Sequence, residues 1–204
     1  MATDIPYRVT TSGGDWTVVA SGVASATVVL FNLAATNAAA AGATIGLRLR
    51  KSAGTALIVP ADLLPADAGD NATRLRIPLL PLEPGDVLEA YSDQSVTWAG
   101  LGQQLATLKP YSRVASVSGD TWTTVTNLAG SVGALWIANT AMGSAFVSAR
   151  IVAGSTLIRT LFDGEEAEEG ASMRMLSPDA LAAGQSLQVK SVGGIDVIAT
   201  GVRV

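Results

Sequence analysis

The densest run of chemically reactive side chains in this sequence is acidic. The octapeptide DGEEAEEG, residues 163–170, contains Asp163, Glu165, Glu166, Glu168 and Glu169. Two carboxylates facing one cleft could perform the acid–base chemistry of a glycosidase, and a carboxylate cluster could bind calcium. The spacing lacks the D-x-[DN]-x-[DN]-G order of an EF-hand loop. We favour a solvated acidic hairpin loop, with an acidic docking contact for a basic partner surface as the functional alternative.

A second group of charged side chains consists of arginines that alternate with aliphatic residues. They are Arg48, Arg50, Arg74 and Arg76. Alternation with period two predicts that they share the outward face of their strands. If those strands are neighbours, the arginines form a basic patch that could bind an acidic partner surface or an anionic glycan. The simpler interpretation is solubilising charge on an exposed sheet face.

Tryptophans supply the remaining candidates for binding. Trp16 and Trp122 follow similar Gly-containing stretches, so a repeated core or turn-packing role is expected for them, in preference to a ligand platform. Trp98 and Trp136 have no tryptophan at the corresponding place in the other half of the chain. Either could anchor an interface, since tryptophan is enriched at binding hot spots, although burial in the core is the favoured interpretation.

The composition narrows the range of functions. The chain has no Cys and no His, which removes thiolate nucleophiles, sulfur-ligated zinc and the commonest general base. No phosphate-binding loop is found, because SGGD and SVGG lack the following Lys or helix. A net charge of −4 does not favour nucleic acid. We therefore expect a protein that is not an enzyme and that uses no cofactor or metal.

The elements that must position these residues are predicted to be β-strands. Apolar and polar residues alternate in 45–51, 73–77, 186–190 and 195–200, and turn signals such as SGGD, EPGD and VGG separate such segments. Short strands at this spacing predict an all-β fold built from antiparallel β-sandwich domains, of jelly-roll or Ig-like type. The Ala-rich segment 33–43 is predicted to be a loop or a single turn.

The sequence also repeats itself at a period of about a hundred residues. Matching pairs occur in the same order along both halves: YRVTTSGGDWTVV and YSRVASVSGDTWTTV, LAATNA and LWIANT, AGTALI and AGSTLI, LRI and MRM, and LEPGDVLEAYSDQSVTWAGLG and LAAGQSLQVKSVGGIDVIATG. A repeat of this length indicates tandem domains, because solenoid repeats run at roughly 20–50 residues. We place the domains at 1–104 and 113–204, joined by a linker at 105–112.

These turn-and-strand phrases resemble a β-sandwich unit that recurs in virion proteins of tailed bacteriophages. The likeness is strongest in LEPGDVLEAYSDQSVTWAGLG and LAAGQSLQVKSVGGIDVIATGVRV, with Asn37 and Asn139 as further matches. The second copy departs from the pattern in having Gln185 where the first has Asp86. The resemblance implies a structural component of the particle, as found in capsid decoration proteins, head fibres and tail attachments.

From this resemblance we expect a decoration or cement protein that binds the exterior of the phage head and stabilises junctions between capsomers. Its partners would be the major capsid protein or other virion proteins and further copies of itself, with a trimer favoured. The alternative is a tail or head-fibre adhesin that binds a host surface glycan. The N-terminus lacks the pattern of a secretion signal and the apolar runs are short, so we expect assembly in the bacterial cytoplasm, residence in the virion and no membrane partner.

Overall fold

The computed structural model describes residues 3–37, 39, 41–64, 73–105, 107–175 and 179–204, except for the side chains of 61–64, 73–78 and 173–175. All regular secondary structure within these ranges is β-strand, so the chain is all-β as predicted. In this part of the chain no helix is long and apolar enough to cross a membrane.

The first half of the chain forms two antiparallel sheets of four strands. Their orders are β1-β8-β3-β6 and β2-β7-β4-β5. The strands are β1 (Thr3–Thr11), β2 (Thr17–Ser21), β3 (Thr27–Asn37), β4 (Ala43–Lys51), β5 (Gly54–Leu64), β6 (Thr73–Leu82), β7 (Val87–Ser92) and β8 (Val96–Leu105).

The second half repeats this plan. Its sheets have the orders β9-β17-β11-β14, with β15 also paired to β11, and β10-β16-β12-β13. The strands are β9 (Pro110–Val117), β10 (Thr123–Thr126), β11 (Gly130–Asn139), β12 (Ala145–Ala153), β13 (Thr156–Ala167), β14 (Ser172–Met175), β15 (Asp179–Leu181), β16 (Gln185–Val192) and β17 (Ile195–Arg203).

The two halves therefore have the same topology, with β14 and β15 together taking the place of β6. In each half the first strand pairs with the last, β1 with β8 and β9 with β17. An Ig-like sandwich instead pairs its first strand with its second. The observed order is that of a jelly roll, which decides between the two sandwich types left open by the sequence.

The chain divides into two compact units. Unit 1 comprises Met1–Ser52 and Ala61–Leu108, and unit 2 comprises Lys109–Val204 together with Ala53–Pro60, a part of β5.

The predicted alternation is present where the strands face the sandwich interior. Ile45, Leu47 and Leu49 of β4 are buried in unit 1. In unit 2 the cluster of buried side chains includes Leu187 and Val189 of β16. Aliphatic side chains supply nearly all of this cluster, in keeping with an aromatic content of 5%.

The turns at 82–86 and 181–185, which are matched in the two copies, have the same backbone conformation and the same hydrogen bonds. Gly85 has φ 85° and Gly184 has φ 81°, in the left-handed region that a type II turn requires. The Asp86 amide donates to the carbonyl of Glu83 at 3.0 Å, and the Gln185 amide donates to the carbonyl of Ala182 at 3.1 Å. The carboxylate of Asp86 and the amide oxygen of Gln185 each accept a bond from the backbone N–H three residues earlier.

Two predicted loops are partly strand. In the Ala-rich segment, β3 continues to Asn37, because Leu33, Ala35 and Asn37 alternate inward and the small side chains fit the core. In the acidic octapeptide, β13 continues through Glu165 and Glu166, which pair with Val147 and Phe146 of β12. Only its end, at Glu168 and Glu169, forms the turn. Backbone pairing to β12 outweighed the turn signal of the glycine and the charges.

Candidate interaction surfaces

The arginines of β4 belong to a polar cluster on the outward face of the β2-β7-β4-β5 sheet. Arg48 and Glu89 lie on paired strands and are register partners, so their side chains meet side by side. The Arg48 Nε donates to Glu89 Oε2 at 2.7 Å, and the Arg50 guanidinium contacts Glu89 Oε1 at 3.1 Å. The Arg48 guanidinium also lies 4.2 Å from the centroid of the Trp16 ring. One carboxylate and one ring thus hold two arginines at the surface.

The chemistry of Glu89 follows from this arrangement. The side chain is nearly buried, and burial alone would raise the pKa of its carboxyl. Hydrogen bonds and the positive charges of Arg48 and Arg50 act in the opposite direction and together leave the pKa below its usual value. Glu89 is therefore ionised at neutral pH, and the arginines are partly neutralised by it.

Unit 2 has a counterpart of this cluster, with one change. The Arg150 guanidinium lies 3.9 Å from the Trp122 ring centroid, and its Nε donates to the Gln188 side-chain oxygen at 3.0 Å. Gln188 takes the place of Glu89. The Lys190 ammonium lies 5.5 Å from the same ring and 2.9 Å from Asp120. Trp16 and Trp122 thus occupy equivalent places, as the matched phrases predicted. Each is half-buried beneath an arginine on the sheet surface and is not part of the core.

The predicted patch of four arginines does not form as proposed. Arg48 and Arg50 lie on β4, whereas Arg74 and Arg76 lie on β6, and these strands belong to different sheets. In backbone register, Arg76 pairs with Ala34 of β3. The condition that the strands be neighbours is not met, because β5 stays beside β4 in one sheet and the chain crosses to the other sheet only at β6. The side chains of Arg74 and Arg76 lie outside the described residues.

Neither unmatched tryptophan is an exposed anchor. Trp98 is fully buried in unit 1, and its Nε1 donates to Thr11 Oγ1 at 3.0 Å, while that hydroxyl shares a bond with Ser92 Oγ at 2.5 Å. Trp98 therefore packs in the core of unit 1, which is the interpretation favoured from the sequence. Trp136 is also buried, but it lies outside the core cluster of unit 2, on the opposite face of β11 from Leu135 and Ile137.

The acidic segment is exposed along most of its length. Glu165, Glu166, Glu168 and Glu169 are all solvent-exposed. Within the described ranges, no group of three or more carboxylates is arranged to hold a metal ion. Asp163 is turned aside to accept a 2.6 Å bond from Ser148 Oγ. The glutamates are therefore spread along an edge strand and its turn, where they can meet a basic partner surface.

The sequence analysis did not predict that several apolar side chains on the strands are exposed. Among them are Leu157 and Ile158 on β13, Leu101 on β8, and the register partners Phe146 and Val192 on β12 and β16. The signal was present in the matched phrases AGTALI and AGSTLI, which repeat an apolar pair at the start of an edge strand. Edge strands with exposed apolar residues are able to pair with other chains.

No protein-family model matches the chain, and no curated protein matches it. Several solved structures are similar at low TM-score. HutD from Pseudomonas fluorescens SBW25 is 10% identical with a TM-score of 0.31, and the alignment covers 100% of this chain and 80% of that one. A chain of Sulfolobus Turreted Icosahedral Virus is 8% identical with a TM-score of 0.36, covering 99% and 89%. A chain of infectious bursal disease virus Gx strain is 10% identical with a TM-score of 0.30, covering 98% and 72%. Viral structures are thus among the neighbours.

Proposed function

We propose that the chain is a non-enzymatic virion structural protein of a tailed phage, namely a decoration or cement protein on the exterior of the head. The observation that carries this proposal is the duplicated jelly roll, with the same strand order in both halves. Jelly rolls are the architecture of many viral capsid and lectin domains. The step from fold to particle component is a fold-level analogy, and the phage-like phrases of the sequence add to it.

Binding would proceed through surfaces that the fold holds rigid. Exposed apolar side chains such as Phe146 and Val192 would bury area against the major capsid protein. Arg48 and Arg50 are already oriented by Glu89, so little side-chain entropy is lost when they meet an acidic capsid face. The exposed glutamates of β13 and its turn would meet basic residues and steer the encounter.

The duplication suits a lattice with sixfold surroundings. A trimer of this chain presents six similar modules, since each chain contributes two compact units. Interface area shared among capsomers would then add to the stability of the shell against the pressure of packaged DNA.

Copy number tests the proposal. Purified particles of the phage that encodes the chain should contain it in a fixed ratio to the major capsid protein, on the order of hundreds of copies per head, as lattice symmetry requires. Gel densitometry against the capsid band measures this ratio. A copy number unrelated to the number of capsomers, or absence from particles, would overturn the proposal.

A glycan-binding adhesin is the second candidate, favoured by one observation. Trp16 and Tyr91 lie with ring centroids 5.8 Å apart beside Arg48 and Glu89, and such sets of aromatic and polar groups can bind sugars. However, a guanidinium already lies over the rings of Trp16 and Trp122, where a sugar ring would stack. An adhesin would be present in a few to about a few dozen copies at one site, so the same densitometry separates the two candidates.

A further inference from the structure

Three reactive side chains of unit 1 are buried together where β4 ends. Lys51 is the last residue of β4, and Glu83 and Asp86 begin and end the turn that precedes β7. The Lys51 ammonium lies 3.1 Å from Glu83 Oε2 and also contacts Asp86 Oδ2. The three side chains are only 7%, 14% and 5% exposed, respectively. An amine and two carboxyl groups are therefore in contact and largely shielded from water.

The surroundings of this cluster are apolar. Lys51 lies on the same face of β4 as the buried Leu49, two residues earlier in the strand. Leu49 pairs in register with Leu88, and Leu82 and Leu88 on either side of the turn are fully buried. Burial disfavours charged groups, so it favours transfer of a proton from the ammonium to a carboxylate. The products of this transfer are a neutral amine, which is a nucleophile, and a neutral acid.

The backbone fixes the carboxyl group of Asp86 beside the amine. The Glu83 N–H donates to Asp86 Oδ2 at 2.8 Å, and the Gly22 N–H donates to the Asp86 carbonyl at 2.9 Å. Gly22 packs so closely on the turn that a Cβ there would come 1.9 Å from the Glu83 carbonyl oxygen. An N–H directed at a carboxyl oxygen stabilises the negative charge that develops on this oxygen when a nucleophile attacks the carbon.

We propose that Lys51 and Asp86 join in an isopeptide bond after the chain has folded. The lone pair of the neutral Lys51 Nζ attacks Asp86 Cγ, and negative charge develops on Oδ2, where the Glu83 N–H stabilises it. The Glu83 carboxylate accepts a proton from Nζ and transfers it to Oδ1, which already carries the acid proton and leaves as water. An amine and an acid thus give an amide and one water molecule, with no change of oxidation state.

Burial favours the amide over the separate ions. In water, hydrolysis of an amide is assisted by the hydration of the ammonium and the carboxylate that it releases, and a buried site withholds this hydration. The contact between the reacting groups also replaces a bimolecular encounter by an intramolecular step. Until the bond forms, the unreacted chain keeps the ion pairs of Lys51 with both carboxylates.

Lys190 of unit 2 shows which kind of ion pair should not react. Its ammonium lies 2.9 Å from Asp120 Oδ1, but the two side chains are 29% and 60% exposed, so both groups remain hydrated. The residues of unit 2 that match the cluster are Ala153, Ala182 and Gln185. We therefore expect the bond in unit 1 alone, where it links the end of β4 to the turn before β7. This link is separate from capsid binding and does not depend on the proposed function.

The mass of the intact chain tests this inference. Wild-type protein, denatured and measured by mass spectrometry, should be lighter than its sequence by one water molecule. A tryptic digest should contain a branched peptide that joins Lys51 to Asp86. Lys51→Arg keeps the positive charge but lacks the amine, so it should have its full sequence mass. Glu83→Gln keeps both reacting groups and should react on the order of a hundredfold more slowly, because it cannot accept the proton.

Lys190→Arg is the matched control, since it alters a lysine–aspartate pair that is open to water, and it should still lack one water molecule. Circular dichroism verifies that all variants keep their strands. A wild type with its full sequence mass would overturn the inference without any variant. A loss of water that persists in Lys51→Arg, or a reaction that is equally fast in Glu83→Gln, would also overturn it.

Discussion

The two jelly rolls share their strand order and differ in how they use charge. In unit 1, Lys51 forms ion pairs with Glu83 and Asp86, all three side chains being largely buried. In unit 2 the same places hold Ala153, Ala182 and Gln185. Glu89 is likewise replaced by Gln188. Both units keep the backbone turn. Both also keep the hydrogen bond that the side-chain oxygen of Asp86 or Gln185 accepts from the backbone N–H three residues earlier.

The comparison shows that the jelly-roll fold does not require the buried charges, which are present only in unit 1. An uncharged amide closes the turn of unit 2, so the turn does not depend on ionic bonds. The buried charges of unit 1 stabilise it only while all partners remain, because an isolated buried charge costs far more than a pair. Unit 1 should therefore be the more sensitive half to substitution and to acid.

The largest effect is expected from Lys51→Met, which leaves Glu83 and Asp86 without their ammonium partner. We expect a loss of about 3–5 kcal/mol in the free energy of unfolding, measured by denaturant titration. The combined variant Lys51→Ala, Glu83→Ala, Asp86→Gln copies the residues of unit 2 and should recover most of this loss. If the combined variant were the less stable of the two, the charges would be needed for the fold itself.

A second, smaller effect should follow Thr11→Val in the core of unit 1. Val117 takes the place of Thr11 in unit 2 and is buried there. The substitution keeps the shape but leaves the buried Trp98 Nε1 without the hydroxyl that accepts its bond, which should cost about 1–3 kcal/mol. Thr124→Val at an exposed position is the control and should change the free energy of unfolding by less than about 0.5 kcal/mol.

Acid should weaken the contacts of Glu89 with Arg48 and Arg50, whereas the matching contact of Arg150 with Gln188 contains no carboxyl group. Because the pKa of Glu89 is lowered in the folded chain, its ionised form stabilises the fold above the unfolded value of about 4.3. That contribution is lost as the pH falls through the folded pKa. Glu89→Gln should cost about 1 kcal/mol at pH 7, and denaturant titrations should show this gap closing as the pH falls below the unfolded value of about 4.3. A gap that is independent of pH would contradict the assignment.

The smallest effect is expected for the arginine–tryptophan contacts, whose coupling energies should be similar in the two units. Double-mutant cycles with Arg48→Met and Trp16→Leu, and with Arg150→Met and Trp122→Leu, should each give a coupling of about 0.5–1 kcal/mol. A coupling energy in only one unit would contradict this expectation, because the similar distances between arginine and tryptophan would then not give similar interaction energies.

The sequence was sufficient for the all-β class, the duplication and the turns, because these depend on local alternation and on glycines such as Gly85 and Gly184. It predicted the outward direction of Arg48 and Arg50 for the same reason. It did not predict that β4 and β6 belong to different sheets, since sheet partners in a jelly roll are distant in sequence. The burial of Ile198, which alternation places on the outward face of β17, was also missed, because alternation does not tell which outward surface is covered.

An image of the particle by electron cryomicroscopy tests the central claim most directly, namely that this pair of jelly rolls binds neighbours on a capsid. The claim predicts density for both units on the outer surface of the head, repeated at every equivalent junction between capsomers. Density confined to the tail or to a single vertex, or a head surface without this protein, would contradict it.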